Sequence, residues 1–239
     1  MEQKGKPLAL AVETSGRTGS AALGSGDNIL AHETLSGHLR HGAELFACCQ
    51  SLLDRVGGSP SDIADIYITA GPGSFTGIRI AVTMAKTLSF ANGTKIVSIS
   101  TMDVLSANVE GYISNTGRNI QQLATILDAK RGQFFVAVFQ RTGHRWIKTV
   151  DDCLVTPSEF LKTVAHSPET TWLTGEGLVY YKDVFTAPNI AFLDEEYWYP
   201  YATNVYKLAR EQARTGNFAD PAKLVPAYIR TAGAIPKAR

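Results

Sequence analysis

The sequence predicts an α/β protein of two domains, each with the element order βββαβαβα. Three observations carry this. The same succession of apolar strands and amphipathic helices runs through the chain twice. Its 239 residues suffice for two domains of ordinary size. A hydrophobic content of 44% is that of a folded chain, not a disordered one.

The first half opens with "LALAV" (8–12), apolar without alternation, as a strand buried on both faces reads. "GSAAL" (19–23) and "NILAHET" (28–34) follow over glycine-containing turns and complete a three-stranded meander. A helix over 40–56 carries Leu45, Phe46, Cys49, Leu52, Leu53 and Val56 on one stripe, and Gly57-Gly58 ends it. "DIYITA" (65–70) is a strand, and a glycine-rich turn leads from it into a helix over 76–91 with Ile78, Val82, Ala85 and Leu88 inward. Asn92-Gly93 stops that helix, "KIVSIS" (95–100) is a fifth strand, and Thr101 is placed to cap a helix whose first turn holds Asp103.

The second half repeats the order. "LATILD" (123–128), "QFFVAVFQ" (133–140) and "RWIKTV" (145–150) are strands, and Thr156-Pro157 with Glu159 forms a capping box that starts a helix. "TWLT" (171–174), a short helix near 177–185, "NIAFL" (189–193) and a helix over 201–213 complete the second unit. The predicted division is 1–113 and 114–239, with no detectable sequence identity between the halves, only a common order of elements.

Charge and cysteine use narrow the functional classes. A formal net charge of +1 gives no strong attraction to nucleic acid or an anionic membrane surface. Cys48 and Cys49 are adjacent and Cys153 is remote, so no disulfide framework exists and a reducing, cytoplasmic setting is expected. The first thirteen residues read as loose residues and a strand, not as a signal peptide, and no apolar run reaches the roughly 20 residues of a membrane span.

Glu13 and Asp128 each end the first strand of their half, and the turns after them are "ETSGRTGS" (13–20) and "DAKRGQ" (128–133). A phosphate-gripping turn needs converging backbone N–H groups, hence glycine, and donating hydroxyls. The first turn has Thr14, Ser15 and Gly16 for this; the second has one glycine and puts Lys130 and Arg131 where hydroxyls would stand. Both also read as ordinary hairpin turns with acids at the strand ends. The stretch "GPGSFTGIR" (71–79) is neither a Walker A loop, since Ile78 follows Gly77, nor a dinucleotide fingerprint, since position 76 is Thr. Phe75 at the centre of "GSFTG" excludes a nucleophile elbow. What remains is a tight turn at Gly71 and Gly73 that opens onto a helix capped by Ser74 or Thr76, with Gly77 close behind, Phe75 packed and Arg79 emerging near a cleft.

Two βββαβαβα units side by side resemble the actin-like/ribonuclease H-like architecture of the ASKHA superfamily, whose two domains face each other across a cleft. More specifically, "GPGSFTGIR" resembles the signature of the TsaB (YeaZ) family of bacterial proteins, and so do "LALAVETS" at the start, "DAKRGQFFVAVF" (128–139) and "VPAYIR" (225–230), in the same order over nearly the whole chain. The resemblance implies a part in forming threonylcarbamoyladenosine beside the tRNA anticodon. It implies docking on the catalytic relative TsaD, together with the ATPase TsaE, and contact with tRNA only through that complex. It also implies a homodimer when the chain is alone, made through the two N-half helices; Leu45, Phe46, Cys49, Ile80 and Met84 are the candidates there.

TsaD carries two metal-binding histidines one helical turn apart; Thr101 and Leu105 stand at those positions here and bind no metal. His38 and His41 have no further ligand close in sequence. The expectation is a non-catalytic subunit without metal or cofactor, with weak nucleotide binding at the first turn left open. A small-molecule kinase and a metallopeptidase of the same superfamily are the alternatives; the first needs two phosphate-gripping turns and the second a metal.

Overall fold

A strand whose six residues are all buried, Leu8–Glu13 (β1), lies at the centre of the first sheet. The computed structural model describes residues 7–36, 41–143, 145–165 and 167–227. His38, His144, His166 and the end of "VPAYIR" from Tyr228 on lie outside them. Ser20–Ser25 (β2) pairs antiparallel with β1, and Asn28–Thr34 (β3) pairs antiparallel with β2. The helix His41–Val56 (α1) leads to Ile63–Thr69 (β4), parallel to β1, and Phe75–Asn92 (α2) leads to Lys95–Ile99 (β5), parallel to β4. The strand order is β3-β2-β1-β4-β5. Central strands read as unbroken apolar runs because helices cover both of their faces, whereas edge strand β3 alternates between exposed and half-buried residues.

Thr101–Ser106 (α3) and Asn108–Thr116 (α4) carry the chain across to a second sheet. It is built from Gln122–Asp128 (β6), Phe134–Thr142 (β7), Arg145–Val155 (β8), Thr171–Thr174 (β9) and Ile190–Phe192 (β10). Pro157–Val164 (α5), Leu178–Tyr181 (α6) and Ala202–Arg214 (α7) complete the chain's helices among the described residues, apart from short 3-10 turns. The order β10-β9-β6-β7-β8 matches the first sheet strand for strand, with β6–β7 antiparallel and β6–β9 and β9–β10 parallel. The duplicated ribonuclease H-like architecture predicted from the order of elements is therefore present.

The helices are exchanged between the sheets. α1 and α2 cover one face of the first sheet, where Leu45, Leu52, Ile78 and Ala81 meet Leu10, Val12, Ile66 and Ile68. Its other face is covered by α7 from the far end of the chain, through Ala202, Val205, Tyr206 and Ala209. α3 and α4 send Met102, Leu105, Val109 and Tyr112 into the core of the second sheet. The 201–213 helix thus completes the second run of elements, as the order predicts, but covers the first sheet. That helix presents mainly small residues and fits the small residues Ala9, Ala11 and Ala22 of the first sheet. Tyr206 fills the remaining depth and donates its hydroxyl to Gly26 O at 2.8 Å. Position 113, where the predicted division falls, lies inside α4.

Local signals mostly act as their chemistry dictates. Thr156 and Glu159 form the capping box of α5, and Gly93 ends α2 in the left-handed region at φ 70°. One cap differs from expectation: Ser100, not Thr101, caps α3, accepting from the Met102 N–H. Thr101 is the first helical residue, and its hydroxyl is used elsewhere.

Candidate functional site

The glycine-rich stretch packs onto the first hairpin turn. Ser74 N–H donates to Ser15 O at 2.7 Å, and the Thr14 hydroxyl donates to Gly77 O at 2.8 Å. A Cβ on Gly77 would stand 1.7 Å from Thr14 O, and one on Gly73 2.5 Å from Ser15 O. Gly71 and Gly73 also hold φ of 118° and 155°, where side chains are disfavoured. Gly71 O accepts from Thr101 N–H at 2.9 Å, which ties the start of α3 to the same place. Gly71, Gly73, Ser74 and Gly77 therefore bring α2 and the turn into backbone contact. Thr76 is exposed and lines a groove on the outer side of α2.

Phe75 and Arg79 are corrected by the structure. Phe75 is 56% exposed, and the Arg79 guanidinium lies 5.1 Å from its ring centre, so both belong to that outer groove and not to the cleft. The groove, of about 540 Å3, runs between α1 and α2 and includes Phe46, Cys49, Ile80 and Met84. Phe46 is 62% exposed. Leu45, the fifth candidate on this face, is fully buried in the first core and reaches no outer surface. Burial pushes the Cys49 thiol up to about 12, and its neighbour Cys48 adds to the shift, so neither offers a thiolate nucleophile.

The two strand-end acids differ sharply. Glu13 is wholly buried, and its Oε1 accepts from Ser15 N–H and the Ser15 hydroxyl, both at 2.5 Å, and from Gly16 N–H at 3.3 Å. Its Oε2 makes no hydrogen bond, though the Thr69 hydroxyl lies near enough to favour its charge. Burial without a cation raises its pKa against those donors. Asp128 instead accepts from Lys130 N–H at 2.7 Å and pairs with the Lys130 ammonium at 2.6 Å. Lys130, Arg131 and Gly132 all hold positive φ, so the second turn curls back on its own acid.

A third acid, Glu176, is missing from the sequence reading and occupies the first turn. It stands between Gly175 and Gly177 at the β9–α6 junction, the second-half counterpart of the β4–α2 junction that holds the glycine-rich stretch. Both of its carboxylate oxygens accept from Arg17 N–H, at 2.9 and 2.8 Å, and the Thr18 N–H also faces it. Gly175 is required there: at φ 125°, a Cβ would stand 2.2 Å from Ile126 O. Burial pushes the Glu176 carboxyl up to about 7; the Arg17 N–H opposes this and the Glu13 charge adds to it. Tyr199 and Tyr201 face it from the segment before α7. The sequence signal that could have found it is the lone acid flanked by two glycines in "TGEGL".

The metal positions do not fit an ion. The Thr101 hydroxyl donates to the Ser15 hydroxyl at 2.9 Å, and Leu105 is fully buried in the second core. Among the described residues, no group of three or more His, Cys, Asp or Glu side chains could hold a metal. A cation of the chain's own links the halves nearby: Lys148 on β8 pairs with Asp103 of α3 at 2.9 Å and with Asp152 at 2.7 Å. No helix among the described residues is long and apolar enough to cross a membrane.

Against known proteins, residues 28–220 match the model of the family described as TsaD: tRNA N6-adenosine threonylcarbamoyltransferase. The tRNA threonylcarbamoyladenosine biosynthesis protein TsaB of Bacillus subtilis is 29% identical over 176 residues, 73% of each chain. Its namesake in Escherichia coli is 24% identical over 223 residues, 92% of this chain and 94% of that one. In structure, YeaZ from Pseudomonas aeruginosa aligns at TM-score 0.78 and 22% identity, covering 92% of this chain and 99% of that one, a likeness of fold.

Proposed function

We infer the function from one premise: this chain belongs to the family described as TsaD: tRNA N6-adenosine threonylcarbamoyltransferase, and it resembles the TsaB (YeaZ) proteins along nearly its whole length. It takes part in tRNA threonylcarbamoyladenosine biosynthesis. Within that process it acts as a docking subunit. It binds TsaD through the outer face of α1 and α2, works with TsaE in the same assembly, and meets tRNA through the complex instead of by its own charge. It does not carry the transfer chemistry.

The observation that carries this reading is the groove between α1 and α2. Phe46 of α1 and Phe75 of α2 stand more than half exposed beside Ile80 and Met84, which also belong to α2, the helix that the family-like signature opens. Apolar surface of that kind is stabilised by a partner, or by a second copy when no partner is present. The lack of a catalytic role is supported by Thr101 and Leu105, which are committed to internal contacts where ligands would be needed. A kinase reading requires the first turn to hold phosphate, and the Glu176 carboxylate lies on it.

Mixing the chain with TsaD of the same organism is expected to give one complex in size-exclusion chromatography at micromolar concentration. Phe46→Asp is expected to weaken it by about tenfold or more while leaving circular dichroism unchanged, because an exposed apolar anchor contributes to association and not to folding. Two separate peaks from the wild-type mixture would refute the docking role. Modification of tRNA by TsaD, with and without this chain, then measures the activation.

A further inference from the structure

Two exposed tyrosines stand where the hairpin turns of both halves meet. Tyr180 and Tyr181 of α6 are 65% and 39% exposed. The β9–α6 junction just before them is wedged between the two turns: Glu176 accepts from Arg17 N–H of the first, and a Cβ on Gly177 would stand 3.2 Å from Asp128 N of the second. Each tyrosine belongs with one turn. The Arg17 guanidinium lies 4.3 Å from the Tyr180 ring centre. Tyr181 packs edge-on against Phe134, the residue that follows the second turn, with ring centres 5.3 Å apart.

The turns supply cations to the same rim. Lys130 and Arg131 are exposed and hold positive φ. Lys130 is engaged by Asp128 at 2.6 Å, which leaves Arg131 as the cation the second turn presents. Glu176 lies close to Arg17, but burial pushes its carboxyl up to about 7, so it offsets that charge only in part. Lys182 and Asp183, next along the chain, are both exposed and balance each other. Exposed rings flanked by guanidinium groups suit an unpaired nucleic-acid strand: bases stack on the rings whatever their identity, and the guanidinium groups meet the phosphates. A duplex keeps its bases stacked inside and offers such a rim none. The rim also adjoins the docking face, because Ser15 O of the first turn accepts from Ser74 N–H at the opening of α2.

We propose that Tyr180, Tyr181, Arg17 and Arg131 form a surface for an unpaired RNA strand, through which this chain itself touches the tRNA that the complex brings to it. The identity of the RNA rests on the function inferred above. The affinity for a single strand does not, and the chain alone displays it, weakly, since its net charge is only +1.

The test titrates the full chain, at low salt, into a labelled unstructured RNA oligonucleotide and into a duplex of the same sequence, read by fluorescence anisotropy. The single strand is expected to bind, and the duplex to bind at least about tenfold more weakly. Tyr180→Ala is expected to weaken binding by about fivefold or more with the salt dependence unchanged, as the loss of one stacking contact. Arg131→Ala is expected to reduce the slope of log affinity against log salt by about 0.7, as the loss of one phosphate contact on a single strand. Both side chains are exposed, so circular dichroism stays at wild type, and Lys207→Ala on α7 is the control that leaves RNA binding unchanged. Wild type that ignores the single strand, or binds the duplex equally well, would overturn the proposal, as would Tyr180→Ala and Arg131→Ala variants with wild-type affinity. With TsaD present, Tyr180→Ala is expected to keep its place in the complex and to lower the affinity of the complex for tRNA. Loss of TsaD with RNA binding intact would assign the rim to a protein partner instead. Failure of the docking role leaves the comparison on the chain alone standing.

Discussion

Glu176 shows how far one side chain's surroundings can matter. Its carboxyl is held up at about 7, with burial as the largest cause, whereas in the unfolded chain it titrates near the ordinary carboxyl value of 4.5. Between those values the folded form keeps a proton that the unfolded form has released, so the neutral carboxyl is the stabilising form, and its contribution is greatest below the lower value and falls as pH rises through the window. The loss is roughly 3 kcal/mol at most, by the usual conversion of a shift into free energy. Urea unfolding at about pH 5 and about pH 8 is expected to show a smaller stability for wild type at the higher pH relative to Glu176→Gln, which lacks this titration. Equal pH dependence in the two proteins would mean that Glu176 is not the group responsible. No reading of the sequence places this residue, because its role arises from a contact between segments far apart in the chain. The glycines at 175 and 177 mark a tight junction without saying what the acid between them meets. Leu45 and Phe46 give the converse lesson. They are neighbours on one predicted stripe, yet the first is fully buried and the second 62% exposed, because adjacent helical positions differ by about a quarter turn.

Individual elements were far more legible. The three-stranded meanders, both glycine-stopped helices of the first half and the capping box of α5 follow from local patterns whose physics is complete within a few residues. The glycine-rich junction was legible as a tight turn, but its contact was not: the residue types show that backbone must come close to something, and only the fold supplies Thr14 and Ser15. That contact is testable through Gly77→Ala. The added Cβ would meet a backbone carbonyl at 1.7 Å, which no rotamer change relieves, so α2 or the hairpin must shift. A loss of about 3 kcal/mol or more in urea unfolding is expected, at the upper end of overpacking costs. Gly111→Ala, inside α4 and no closer than 3.4 Å to Tyr197, serves as the control. There the gain in helix propensity of about 1 kcal/mol offsets a slight crowding, and stability should stay near wild type. Similar losses at both positions would show that general glycine replacement, not the turn contact, governs the effect.

At the scale of the molecule, the exchanged helices make the two sheets interdependent. α7 closes the first sheet although it follows the second in sequence, and α3 and α4 fill the second core although they follow the first sheet. Lys148 with Asp103, and Glu176 with Arg17, fasten the halves further. A chain so interlocked should unfold in one transition, and its tryptophans make that measurable. Trp146, Trp172 and Trp198 all belong to the core of the second sheet or pack against it. Val205 is fully buried on α7 against the first sheet. Val205→Ala removes two buried carbons and leaves a small cavity, a loss of about 2 kcal/mol. If the halves unfold together, tryptophan fluorescence reports that loss in full, with a urea midpoint lowered as far as the midpoint from far-ultraviolet circular dichroism, since coincident probes are the mark of a two-state transition. If the fluorescence midpoint stays at the wild-type value while the circular dichroism curve splits in two, the first sheet unfolds by itself and the exchange of helices does not couple the halves. Coupling matters for docking, because α1 and α2 lie on the first sheet while Glu176 reaches its first hairpin turn from the second half. A partner bound on that outer face then stabilises the second half as well, and TsaD added to Val205→Ala should raise both midpoints together.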